Sequence, residues 1–258
     1  MKKITLVTFL MFLSVIAFAQ KPVKFGVYLG GAAPLGNMGE SSTIDKTSLF
    51  PLKNYVFANE EATQGFAGAG VGLGFDVTIA LPVEGLGVFG GLDFIYNSTN
   101  SDLVKYLDDQ KKEIEKMPGV SSYEYNIPNF MNIPLLFGVN YQHNFNNIIG
   151  IFGEAGVGPN FRLISGEETK TEYSSQPDAT THWKYDSNVT LGFKIGAGVM
   201  MWDKMSIVLD FYSLGSAKIK GTLTAKSGDD DVTPANNKFE TKNAISASEL
   251  VLRVGYHF

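Results

Sequence analysis

The chain has 258 residues, 44% hydrophobic and 18% charged, with a formal net charge of -5. That mild acidity argues against a nucleic-acid surface, which needs clustered Lys and Arg. The lack of cysteine excludes a disulfide framework and a lipid anchor on an N-terminal Cys. The 28 Gly and 19 Phe are high for an enzyme of this length. They suit strands that bend, crowd a narrow interior and carry aromatics on an apolar surface.

In chain order, Met1-Lys2-Lys3 is a positive start, Ile4 to Phe18 is apolar apart from Thr and Ser, and Ala17-Phe18-Ala19 fits the small-x-small cleavage pattern. About fifteen apolar residues fall short of the roughly 20 that a spanning helix needs. The expectation is a secretory signal over residues 1–19, cleaved after Ala19, and a single domain over 20–258. No later segment reads as a spanning helix. The most apolar stretch, Phe66 to Leu92, holds Asp76, Pro82, Glu84 and many glycines.

Eight segments alternate with period two, near 23–33, 66–80, 86–97, 123–141, 148–164, 187–201, 205–214 and 246–258. Three connections are short: Leu81 to Gly85, His143 to Asn147 and Trp202 to Lys204. The other four, about 34–65, 98–122, 165–186 and 215–245, are long. Short and long alternate throughout. Outer-membrane barrels have short periplasmic turns, long outer loops and an even strand number. The last segment, Leu250 to Phe258, puts Leu250, Leu252, Val254, Tyr256 and Phe258 on one face and ends on an aromatic. The pattern predicts an all-β fold: one closed, antiparallel, up-and-down transmembrane β-barrel of about eight strands. Tyr256 and Phe258 would form its C-terminal assembly signal.

The faces agree with that reading. Strand two sets Ala67, Ala69, Val71, Leu73, Phe75, Val77 and Ile79 against glycines, Asp76 and Thr78. The inward charges are Lys24, Asp76, Asp93, Glu154, Arg162, Lys194, Asp210, Glu249 and Arg253, and none falls on the lipid face. A charge at the membrane midplane costs about 2–4 kcal/mol in such barrels. An eight-stranded interior is filled by side chains, so these charges are expected to pair. A salt-bridged plug is favoured over an ion-selective pore.

The long connections differ in character. Residues 101–117 read as a short helix capped by Ser101, with Leu103, Leu107 and Ile114 near one face and Pro118-Gly119 stopping it. It would cover the barrel mouth or lie on the membrane. Residues 166–186, with Trp183 and Tyr185, would extend the flanking strands as a hairpin. Residues 226–243 read as a flexible loop, and Asp229-Asp230-Asp231 as a solvated turn rather than a calcium site. Pro128 and Pro134 fall inward in strand four, where proline marks a bulge, bend or strand end.

Several stretches carry a family resemblance. They are Met1 to Gln20 with its Ala-Phe-Ala-Gln ending, Ile127-Pro-Asn-Phe-Met-Asn-Ile-Pro-Leu-Leu-Phe-Gly138, Ile151 to Pro159 and the Phe-terminated last strand. With these the chain resembles the Bacteroidetes outer-membrane β-barrel domain family, often labelled PorT-like. The resemblance spans nearly the whole mature chain and implies this architecture in a Gram-negative outer membrane. Some members are linked to protein secretion. The shared motifs are structural, so no functional residue carries over. The large outer loops and the helix near 101–117 depart from the family pattern.

Chemistry is sparse. A nucleophile needs a base in hydrogen-bond reach. His257 and His143 are expected to be solvated at the periplasmic end, which leaves His182 near Ser174 and Ser175. No histidine pair has metal-ligand spacing. Gly70-Val-Gly-Leu-Gly74 lies inside a strand, not between strand and helix as a dinucleotide loop requires. No catalytic residue, cofactor or metal site is assigned, and the reading is not an enzyme. The expected role is a structural or interaction barrel acting through its outer loops. The alternatives are a small-solute channel, a secretion-system accessory barrel and, least favoured, a lipid-modifying enzyme. Expected partners are outer-membrane lipid and lipopolysaccharide, the barrel-assembly machinery and a surface or secretion protein, with no nucleic acid.

Overall fold

The computed structural model describes residues 23–40 and 64–258. The expected signal over 1–19 lies outside the described residues. Eight strands form a closed antiparallel barrel: β1 (Val23–Leu35), β2 (Ala67–Ala80), β3 (Leu86–Thr99), β5 (Phe130–Asn144), β6 (Ile149–Ile164), β9 (Asn188–Met201), β10 (Met205–Ala217) and β14 (Ile245–His257). Each pairs with its neighbours along the meander. The last strand closes on the first in register from Gly26↔His257 to Leu35↔Ser248.

Alternation makes the barrel two-faced. Leu73, Phe75, Leu191, Phe193, Ile195, Leu252 and Val254 are exposed, while Asp93, Lys194, Asp210 and Arg253 are buried. In water such an apolar exterior would be a liability, but in a bilayer it is the solvated surface. Closure satisfies the ladder hydrogen bonds that an open edge would leave unpaired in lipid. Ala67 departs from its expected outward face. The β2–β3 register shifts between Ala67 and Gly70, which turns Ala67 inward to 2% exposure.

The outer connections build a second sheet. Its strands are β4 (Val120–Asn126), β7 (Glu167–Tyr173), β8 (Ala179–Tyr185), β11 (Lys220–Ser227), β12 (Asp230–Asp231) and β13 (Lys238–Glu240). They run in the order β12-β11-β8-β7-β4, with β13 also on β11. The single strand expected over 123–141 is therefore two. The chain leaves β4 at Ile127-Pro128-Asn129, where Pro128 cannot donate to a ladder, and enters the barrel at Phe130. Pro134 stays in β5 with its ring inward, opposite Asn160. Hairpin β7–β8 does not prolong β6 and β9 but leaves them for the outer sheet. Part of the expected 226–243 loop is β-structure.

Helix α1 (Ser101–Glu115) is capped by Asn100, not Ser101: the Asn100 side chain accepts from Asp102 N at 2.8 Å. Its buried Leu103 and Leu107 join a core with Phe130, Trp183, Tyr185, Leu214, Ile219 and Ile245. The helix therefore covers the barrel mouth. Tyr125 Oη donates to Asp108 at 2.9 Å and ties it to β4.

Candidate functional site: the lumen and its outer cap

Arg253 projects inward from β14 and meets three carboxylates. Its Nε donates to Asp210 at 2.5 Å, one terminal nitrogen to Glu154 at 2.8 Å and the other to Asp93 at 3.3 Å. Lys194 adds a 2.9 Å contact to Glu154 and a 3.9 Å contact to Asp93. Aromatic rings flank the cations. Arg253 lies 4.3 Å from the Tyr28 ring centroid and Lys194 lies 4.9 Å from that of Phe89. Tyr212 Oη donates to Asp93 at 3.0 Å, and Tyr28 Oη to Asp76 at 2.5 Å. Two glycines make the room. A Cβ at Gly74 would strike Asp93 and Arg253, and one at Gly196 would strike Asp210. At Gly74 of β2 the missing side chain thus leaves room for the ion cluster beside it.

A second polar layer lies nearer the outer mouth. Arg162 spans the lumen to donate to the Ile245 and Gly215 carbonyls, each at 3.0 Å. Asn97 Nδ2 reaches Glu249 at 3.4 Å and Asn160 Nδ2 reaches Asn132 at 3.1 Å. Between these polar groups Ile95, Leu136, Tyr212 and Val251 are fully buried, so the outer half of the lumen is filled by polar and apolar side chains together. At the periplasmic end a cavity of about 780 Å³ opens, lined by residues including Lys24, Tyr28, Phe152, Glu154, Met200 and His257.

Of the nine expected inward charges, the structure brings Asp93, Glu154, Lys194, Asp210 and Arg253 into one cluster. Asp76 is held beside it by Tyr28. Arg162 and Glu249 belong to the upper layer. Lys24 is apart, half-buried on the periplasmic wall and without an ion pair among the described residues. His257 is not solvated as expected: it is 8% exposed, with Nε2 3.0 Å from Ser206 Oγ and its ring edge-on to Tyr28. His143 is exposed and edge-on to Phe145. His182 sits opposite Glu168 and Thr224, whereas the Ser174 hydroxyl faces Ser121 at 3.0 Å. The base and the candidate nucleophile are thus not brought together. The Thr233 hydroxyl, and after it the Thr233 backbone N–H, hold the Asp231 carboxyl below its usual range. Among the described residues no group of three potential ligands is placed to hold a metal ion.

One functional-looking group was not singled out from sequence. Glu167, on the inner face of β7, is 1% exposed, and its carboxylate accepts from Tyr185 Oη at 2.5 Å. Burial pushes its carboxyl up to about 8, against the opposing pull of that hydrogen bond. Its neighbour across the hairpin is Trp183. The only sequence signal was an acid three residues after the β6 pattern ends.

A closed eight-stranded meander with an apolar exterior, charges sealed inside, short turns at one end and built-up connections at the other defines an integral β-barrel of the bacterial outer membrane. Residues 5–258 match the outer membrane protein beta-barrel domain, and the chain belongs to that family. Among solved structures it is similar to the outer membrane protein OprG of Pseudomonas aeruginosa, at 12% identity and a TM-score of 0.42, covering 92% of this chain and 97% of that one. A major outer membrane protein of Thermus thermophilus is similar at 17% identity and a TM-score of 0.40, with 92% and 99% covered. Ail, the attachment invasion locus protein of Yersinia pestis, is similar at 11% identity and 0.36, with the same coverage. No curated relative matches the sequence.

Proposed function

We propose that the protein is a non-conducting outer-membrane barrel that presents its outer sheet to a surface or secreted protein partner. The observation that carries this reading is the closed lumen. The Arg253 cluster bridges opposite walls, and the buried layer above it lies under α1 and the outer sheet. A channel needs a hydrated path, and an ion cluster that bridges the walls beneath a layer of buried side chains obstructs one. The outer sheet is elaborate for a mere connector, and elaboration there is expected where a partner binds. The PorT-like resemblance through Ile127 to Gly138 favours a secretion component as that partner, which makes an accessory barrel the second reading.

Two measurements test it. In planar bilayers the purified barrel should show no unitary conductance; regular steps of open current would replace this role with a solute channel. Gentle-detergent capture from native outer membranes should recover a stoichiometric protein partner, and recovery of the barrel alone would count against the interaction role. Assembly is a separate proposal. Tyr256 and Phe258 stack edge-on at 4.9 Å on the lipid face, and we assign them the contact read by the barrel-assembly machinery. Deleting Phe258 should slow membrane insertion in cells while leaving detergent refolding intact.

A further inference from the structure

Lysines gather on the outward face of the outer sheet just above the barrel lip. Lys218 follows the last residue of β10, and Lys220 opens β11. Lys184 lies one residue before the end of β8, and register places it beside Thr222, which is in turn beside Lys238. Neighbouring strands are about 4.8 Å apart, so Lys184 and Lys238 stand roughly 10 Å apart across the threonine. Glu240 contacts Lys218 at 3.8 Å and Lys220 at 3.4 Å, fixing their ammonium groups near one another. Lys184 and Lys238 have no ion pair among the described residues. The acids at this level are Glu240, Asp186 and Glu168, the last beside His182 in the β7–β8 register, so four lysines face three acids on a chain whose net charge is -5. Most other outer-sheet acids are remote: Asp229 to Asp231 sit at the far tip of β11–β12, and Glu124 and Glu172 lie on β4 and β7.

The surface below this arc is as apolar as any on the molecule. Val189 and Leu191 on β9 are 65% and 72% exposed, and Phe193 packs beside Phe211 at 6.1 Å. Acyl chains would cover that strip at the depth where the barrel enters lipid. Phosphates of the same molecules would then lie at the level of the lysines, whose long stems can bend toward them. An amphiphile with an anionic head directly above its chains satisfies both surfaces at once.

We infer that the arc of Lys184, Lys218, Lys220 and Lys238, with the β9–β10 strip beneath it, is a docking surface for a phosphorylated glycolipid of the outer leaflet. The occupant is the phosphorylated lipid anchor of lipopolysaccharide rather than a soluble polyanion, because a soluble polyanion would leave the apolar strip unused. Basic side chains near a charged membrane surface each contribute about 1 kcal/mol, and added salt weakens them through screening.

The test is native mass spectrometry of the full chain released from vesicles containing bisphosphorylated lipid A. The unaltered barrel should retain the lipid through delipidation. A K184Q/K218Q/K220Q/K238Q variant should retain it at least about tenfold more weakly. A charge-matched variant on α1, K105Q/K111Q/K112Q/K116Q, should behave like the unaltered protein. Dephosphorylated lipid A offered to the unaltered barrel should be lost like the lipid from the lysine variant, a comparison that needs no substitution to fold. Equal retention by the lysine variant, or of the dephosphorylated lipid, overturns the assignment. Displacement of lipid A by a soluble sulfated oligosaccharide overturns the choice of a lipid.

Discussion

Arg253 is the residue on which the lumen turns, because Asp93, Glu154 and Asp210 all converge on its guanidinium. Three carboxylates face two cations there, and removing one cation leaves buried negative charge that Lys194 alone cannot offset. Breaking a buried ion pair by deleting one partner costs about 3–5 kcal/mol. Arg253→Gln should therefore lower stability by about that amount, read as an earlier urea midpoint in lipid vesicles. An unchanged midpoint would mean that water already shares the cluster. Much of this site was legible residue by residue: alternation alone places Asp93, Glu154, Lys194, Asp210 and Arg253 inward. Which acid meets which base was not legible, since that depends on strand stagger around the closed barrel. His257 was misread for a related reason, because the residues that bury it, Tyr28 and Ser206, come from β1 and β10, which flank β14 only once the barrel closes.

At the scale of elements, the cap is held by side chains with little redundancy. Leu103 and Leu107 are the α1 residues buried against the mouth. Leu→Ala in a packed core costs about 2–5 kcal/mol. Either change should release the helix, seen as faster protease cleavage between β3 and β4 while the barrel stays folded. Cleavage at the unaltered rate would show that α1 is held elsewhere. Glu167 makes the cap pH-dependent. Its carboxyl is raised to about 8 when buried and returns to about 4.3 once exposed. The stabilisation it gives as a protonated group is full below the exposed value and is lost as pH rises through about 8. The emission of Trp183, read in a Trp202→Phe background, should report loosening between pH 6 and 9, and Glu167→Gln should flatten that response. The outer sheet was hard to read in sequence because β7 and β8 carry Thr, Lys and Glu in place of an apolar alternation. Strand β4 alternates well enough to merge with β5, and only Pro128 marks the break. The barrel strands were legible because lipid imposes a strict outward period on every one of them.

For the whole molecule, orientation follows from the sorting of connections. Short turns and both ends of the described barrel fall at one end, and α1 with the outer sheet at the other. In such barrels the short turns face the periplasm. The chain has no cysteine, so single introduced thiols report topology without background. Thr224 is exposed on the outer sheet, and Asp203 is exposed in the β9–β10 turn, where it accepts from Gln142 at 2.7 Å. In intact cells a membrane-impermeant maleimide should label Thr224→Cys readily and leave Asp203→Cys unmodified until the outer membrane is permeabilised. The reverse pattern would invert the barrel and remove the basis for both the partner and the glycolipid surface. Equal labelling of both in intact cells would point instead to an open lumen, since the reagent would then have passed the Arg253 cluster.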